Sequence, residues 1–123
     1  MNAILSLLVI VPVIGACAAT LPPPTQRLAD AQSSERSARE VGANDVPAAQ
    51  LSLKLANDQI AQAQKAMADG DNVRADMLLV RAKADSELAL AQAREHGAVA
   101  EHKEAVADSA EQKTTNAAQG AVK

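Results

Sequence analysis

Residues 51–91 read LSLKLANDQIAQAQKAMADGDNVRADMLLVRAKADSELALA, and this stretch decides the fold. In its first half Leu53, Ala56, Ile60, Ala63 and Met67 recur at steps of three and four, the seam of a helix that packs along one side. Gly70-Asp71-Asn72 then breaks the pattern. Gly70 can adopt a positive φ and close one helix, while Asp71 or Asn72 offers a side-chain oxygen to cap the next. Beyond the turn Val73, Met77, Val80, Ala84, Leu88 and Ala91 form a second seam. A turn this short makes the two helices antiparallel, and the interspersed alanines let their backbones approach closely. Leu53, Ile60, Met67, Met77, Val80 and Leu88 are therefore the candidate core of a hairpin or, where exposed, the contact face for a partner helix.

Two features extend the hairpin. Met77-Leu78-Leu79-Val80 is a continuous apolar run, which covers more than one helix face and suits contact with two neighbours. Upstream, a helix is expected over residues 25–41, with Leu28, Ala31, Ala38 and Val41 on one face, Gly42 as its stop and Asp45 as cap of the helix over 46–69. The last helix begins near Asn72 and continues past Gly97 through Val99, His102 and Val106 to about Lys113, leaving residues 114–123 as a flexible tail. The fold class is all-α: an antiparallel hairpin with a preceding helix, closed as a small three-helix bundle. The alternative is a long kinked two-helix hairpin, with the first helix stacked end-on, because Gly42 and Gly97 lie almost equally far from Gly70.

Composition limits both core and function. Alanine is the commonest residue and aromatic content is 0%, so large buried side chains are few and support from self-association or a partner is expected. Without aromatic rings there is nothing to stack on a base or a sugar, and a net charge of -3 offers no basic stripe for a phosphate backbone. Nucleic acid is not an expected partner.

At the N-terminus the chain is uncharged from Ala3 to Ala16, too short for the roughly 20 residues of a membrane span but long enough for the apolar core of a signal peptide. It ends in Ile14-Gly15-Ala16-Cys17, with Cys17 the single cysteine of the chain. Small residues before a cysteine suit a peptidase cleft, and a cysteine sulfur is suited to carry a thioether-linked lipid. This motif resembles the lipobox of bacterial lipoproteins. That resemblance implies cleavage between Ala16 and Cys17, acylation of Cys17, and a membrane partner reached through the lipid. Residues 1–16 would then be the signal peptide and residues 17–24 the tether, stiffened by Pro22-Pro23-Pro24. With Ala18 rather than Asp after the cysteine, it implies an outer-membrane lipoprotein facing the periplasm.

From Gly42 to Ala93 the chain also resembles an alanine-rich family of bacterial envelope lipoproteins, domain of unknown function 4398. The residues that carry the likeness are Pro47, Leu51, Ala56, Ile60, Ala63, the Gly70-Asp71 turn, Ala75, Ala82, Ala84-Asp85 and Leu88-Ala89. Some members of that family adjoin peptidoglycan-binding domains, which implies envelope or cell-wall neighbours as partners.

Groupings that would carry chemistry are weak. His96 and His102 stand six positions apart, on different helix faces, unlike the i and i+4 pair of a helical metal site. Asp69 and Asp71 flank a glycine, where capping and turn formation account for them. Ser33 and Ser34 have no histidine in their segment. No catalytic residue, metal or cofactor is expected. The expected function is that of a lipid-anchored, non-enzymatic envelope scaffold or adaptor. Its alternatives are a self-associating coiled-coil lipoprotein and a small periplasmic binding module, chaperone or inhibitor using Met67 and Met77.

Overall fold

The computed structural model describes residues 21–120. The segment read as a signal peptide, residues 1–16, and Cys17 lie outside the described residues. Three helices follow in order: α1 (Thr25–Glu40), α2 (Pro47–Ala68) and α3 (Asn72–Gly120). A short 3-10 turn, Ala43–Asp45, links the first two. The chain runs up, down and up, with α1 and α3 parallel and α2 antiparallel to both, so the three-helix bundle replaces the kinked two-helix hairpin.

Local chemistry places each boundary. Pro23 and Pro24 cannot donate backbone hydrogen bonds but can accept them, and their carbonyls take the amides of Thr25 at 2.8 Å and Leu28 at 3.1 Å. At the other end of α1 Gly42 sits at φ +88°, donating its amide to the Arg39 carbonyl at 3.0 Å. Asp45 does not cap α2: it belongs to the 3-10 turn, and Val46 takes the capping position without a side-chain bond. Pro47, whose fixed φ suits the first helical position, starts the helix instead.

The connection between α2 and α3 is made almost entirely by backbone groups. Gly70 (φ +79°) donates to the Met67 carbonyl at 3.1 Å and Asp71 to the Ala66 carbonyl at 2.8 Å, a Schellman closure of α2. The Asp71 carboxylate then accepts the Arg74 amide at 3.1 Å and caps α3.

Alanine lines the interior. Ala31 and Ala38 of α1, Ala49, Ala56 and Ala63 of α2, and Ala75, Ala82 and Ala89 of α3 are fully buried. Larger side chains anchor two clusters along the bundle. Leu79 and Ile60 meet Ala31 near the turn, and Leu53 and Val46 meet Ala38, Ala89 and Ala93 at the far end. Between them Ser86 is fully buried, its hydroxyl donating to the Ala82 carbonyl at 2.8 Å. Ser52 of α2 reaches Gln92 of α3 at 3.1 Å, and Gln59 reaches Asp85 at 2.7 Å, so polar bonds hold one edge of the α2–α3 contact.

The α2 seam lies where the sequence pattern puts it, except that Met67 is only partly buried against the core. The α3 seam does not. Its inner face is Ala75, Leu79, Ala82, Ser86, Ala89 and Ala93, whereas Val73, Met77, Val80 and Leu88 are about half exposed. The physical reason is distance. α3 serves both α1 and α2, and small residues on its inner line let two backbones come close at once; a line of Val, Met and Leu would hold them apart. Val41 is likewise exposed, because α1 ends at Glu40 before that residue can join its face.

Adjacent positions on opposite faces give a direct test. Leu79→Ala should lower stability by about 2–4 kcal/mol in urea unfolding followed by circular dichroism, because Leu79 is 1% exposed. In dilute protein Val80→Ala should stay within about 0.5 kcal/mol of the parent, because Val80 is 49% exposed.

Candidate interaction surface

On a helix, positions that recur at three and four share a face, and positions offset by about half a turn occupy the opposite one. The inner line of α3 fits its two neighbours. Val73, Met77, Val80, Ala84, Leu88 and Ala91 fall on the opposite side and make a second apolar line along the outside of the bundle. Met77 is 53% exposed and Leu88 49%, far more than side chains of that type in a packed core. Charged residues border the line. Arg74, Arg81 and Asp85 run along one edge; Asp76, Lys83, Glu87 and Arg94 run along the other.

Several of these charges already have partners. Asp76 pairs with Arg27 of α1, and Asp85 accepts from Gln59 of α2. Lys83 lies 3.7 Å from Glu87 within α3, both half-exposed, a loose pair worth only a few tenths of a kcal/mol.

The six candidate residues from the sequence therefore separate. Leu53 and Ile60 are in the core, in different clusters, and Met67 is packed against its edge. Met77, Val80 and Leu88 face outward together. The two methionines near the hairpin tip, Met67 and Met77, thus belong to different environments: one packs inward and the other is open. Both histidines are exposed on α3, and among the described residues no group of three or more His, Cys, Asp or Glu could hold a metal ion.

Two further features organise the surface. Asn72 donates its side-chain amide to the Leu21 carbonyl at 2.6 Å, and with the Arg27–Asp76 pair this fixes the incoming chain beside the first turn of α3. The sequence offered Asn72 only as a possible cap, because nothing local signals a bond to a residue 51 positions away. The second feature is the length of α3. It continues through Lys113 and Thr114 to Gly120, past the expected end of the helix. From Arg94 onward every described residue except Gly97 is exposed, so the helix leaves the bundle as an arm. Alanine, Glu, Gln and Lys have high helix propensity, and the single Gly97 costs only about 1 kcal/mol, too little to stop the helix. No described helix is long and apolar enough to cross a membrane.

The family described as Domain of unknown function (DUF4398) matches this chain over residues 26–122. The chain belongs to that family. The DUF4398 match begins just inside α1 and takes in all three helices, both faces of α3 and the arm. Cys17 and the prolines of residues 22–24 stand ahead of it. No curated protein and no solved structure shows significant similarity to the chain.

The contrast between bundle and arm predicts an exchange pattern. In dilute protein, amides from Ala75 to Ala93 should exchange with deuterium orders of magnitude more slowly than those beyond His96, because only the former open with the core. Peptide-resolved mass spectrometry would measure this; equal protection along α3 would contradict an unpartnered arm.

Proposed function

We propose that this chain is a lipid-tethered, non-enzymatic helical protein of the bacterial envelope that acts by contact, as a scaffold or adaptor. The observation that carries the reading is the outer line of α3: half-exposed Val73, Met77, Val80 and Leu88 that the chain's own bundle leaves uncovered. A side chain such as Leu contributes about 1.5–3 kcal/mol when fully buried, so a row of them left half open on a core this thin is expected to serve an interface.

The placement of the tether supports an adaptor. The chain enters at the turn end of the bundle, where Leu21 meets Asn72. From there α3 runs for 49 residues, about 73 Å, and carries its arm away from that end. A lipid on Cys17, joined by the short Pro-rich segment, would hold one end of the molecule at the membrane and leave the other free to engage an envelope or cell-wall component. Ala18 after the cysteine favours the outer membrane as that address.

The anchor is tested by labelling. Cells grown with radiolabelled palmitate should label the parent chain, and Cys17→Ala should abolish the label and release or misprocess the protein. Undiminished labelling of the Cys17→Ala chain would remove the lipid tether from this account.

A further inference from the structure

The outer line of α3 holds one side chain whose polarity can be changed by simple chemistry. Met77 stands half-exposed on that line, while Met67 of α2 packs against the core cluster of Ile60 and Leu79. Met1, the third methionine, lies outside the described residues. A thioether is a soft nucleophile that peroxides oxidise to the sulfoxide, replacing a flexible apolar group with a polar one. Inside a packed core that change is disruptive. At Met77, outside the core, the packing is untouched.

The neighbours of Met77 suit the sulfoxide better than the thioether. Arg74 stands three positions before it and Arg81 four after it, so both share its side of the helix. Side chains lean toward the N-terminus of their helix, which lays Arg81 over Met77 and Met77 over Arg74. The three line one concavity, together with Gln62 of α2 and Asp71 at the turn. The Asp71 carboxylate accepts the Arg74 backbone amide, and among the described residues no ion pair engages either guanidinium. A thioether sulfur is a weak acceptor for these donors. A sulfoxide oxygen is a strong one, and a charged donor strengthens the bond.

We propose that Met77 is an oxidation site: a peroxide converts it to the sulfoxide, Arg74 and Arg81 donate to the new oxygen, and the outer face of α3 loses its apolar contact. The loss of contact rests on the contact reading above; the oxidation site does not. With hydrogen peroxide, the sulfur lone pair forms an S–O bond as the O–O bond breaks. Sulfur is oxidised by one electron pair and the peroxide is reduced. The proton of the transferred oxygen passes to the departing one, which leaves as water. A partner covering Val73, Met77 and Val80 must then desolvate the sulfoxide and its guanidinium donors, which opposes the contact.

Mass spectrometry of the full chain tests the site. Cys17→Ser first removes the single thiol, which peroxide would also attack. Trypsin cuts after Lys65, Arg74 and Arg81, so Met67 and Met77 fall on separate peptides. In dilute hydrogen peroxide Met77 should gain oxygen about five-fold faster than Met67. Chain oxidised at Met77 alone should keep the parent's helical signal and melting. Equal or faster uptake at Met67 overturns the proposal, as does a bundle that melts once Met77 is oxidised. In nuclear magnetic resonance the guanidinium N–H signals of Arg74 and Arg81 should shift on oxidation while those of Arg36 stay; unmoved signals at both remove their role. In cells, a photo-crosslinking residue at position 84 separates the loss of contact from the contact reading. Cells of the parent chain take a pulse of peroxide, are washed and then irradiated, and Met77 is compared on captured and uncaptured chain. Captured chain should carry the sulfoxide several-fold less often. Equal fractions overturn the loss of contact and keep the contact reading. No captured protein, with or without peroxide, overturns the contact reading and the loss of contact with it, while the peptide rates still decide the oxidation site.

Discussion

Close approach of backbones across alanine is the constraint on which this structure depends. Each buried alanine removes only one methyl group from water, so it gains little from burial, on the order of 0.8 kcal/mol. It also loses no side-chain freedom when the chain folds, and it favours the helix throughout. A bundle built this way is thin. Its few large buried side chains, among them Leu53, Ile60 and Leu79, must sit where neighbouring alanines leave room for them. α3 meets this demand from two sides, and from Ala75 to Ala93 its inner line is accordingly small at every position but Leu79. Val73, Met77, Val80 and Leu88 are displaced to the outside.

That displacement explains where the sequence was readable. The Gly70-Asp71 turn, the α2 seam and the buried Ala31 and Ala38 follow from local rules: a positive φ, a capping carboxylate and a helical period. The bundle itself was foreshadowed by the run Met77-Leu78-Leu79-Val80, which does divide between faces, Leu78 and Leu79 inward and Met77 and Val80 outward. The face of α3 was misread because hydropathy ranks Val, Met and Leu above Ala. Nothing in a single helix reveals that two neighbours will compete for the same line. The Asn72–Leu21 bond and the continuation of α3 to Gly120 were illegible for related reasons: one joins distant residues, and the other sets one glycine against many good helix formers.

The same geometry links fold to function. With alanines, Ser86 and Leu79 on its inner line, α3 carries Val73, Met77, Val80 and Leu88 as a second apolar line on the outside. Membership of DUF4398 fixes the family but assigns no activity. The proposed work of the chain accordingly rests on two physical features, the uncovered line and the arm that leaves the bundle away from the end where Leu21 meets Asn72. Neither asks for a reacting group. Both ask for a surface to meet.

The central claim is that α3 presents the mostly small line of Ala75, Leu79, Ala82, Ser86, Ala89 and Ala93 to the bundle and the line of Val73, Met77, Val80 and Leu88 to the outside. Thiol labelling rates for single cysteines placed at each position from 73 to 93, in dilute Cys17→Ser protein, measure this directly. The account predicts slow labelling at 75, 79, 82, 86, 89 and 93 and fast labelling at 73, 77, 80, 84, 88 and 91. The reverse pattern, with 77, 80 and 88 protected and 75, 82 and 89 reactive, would contradict it.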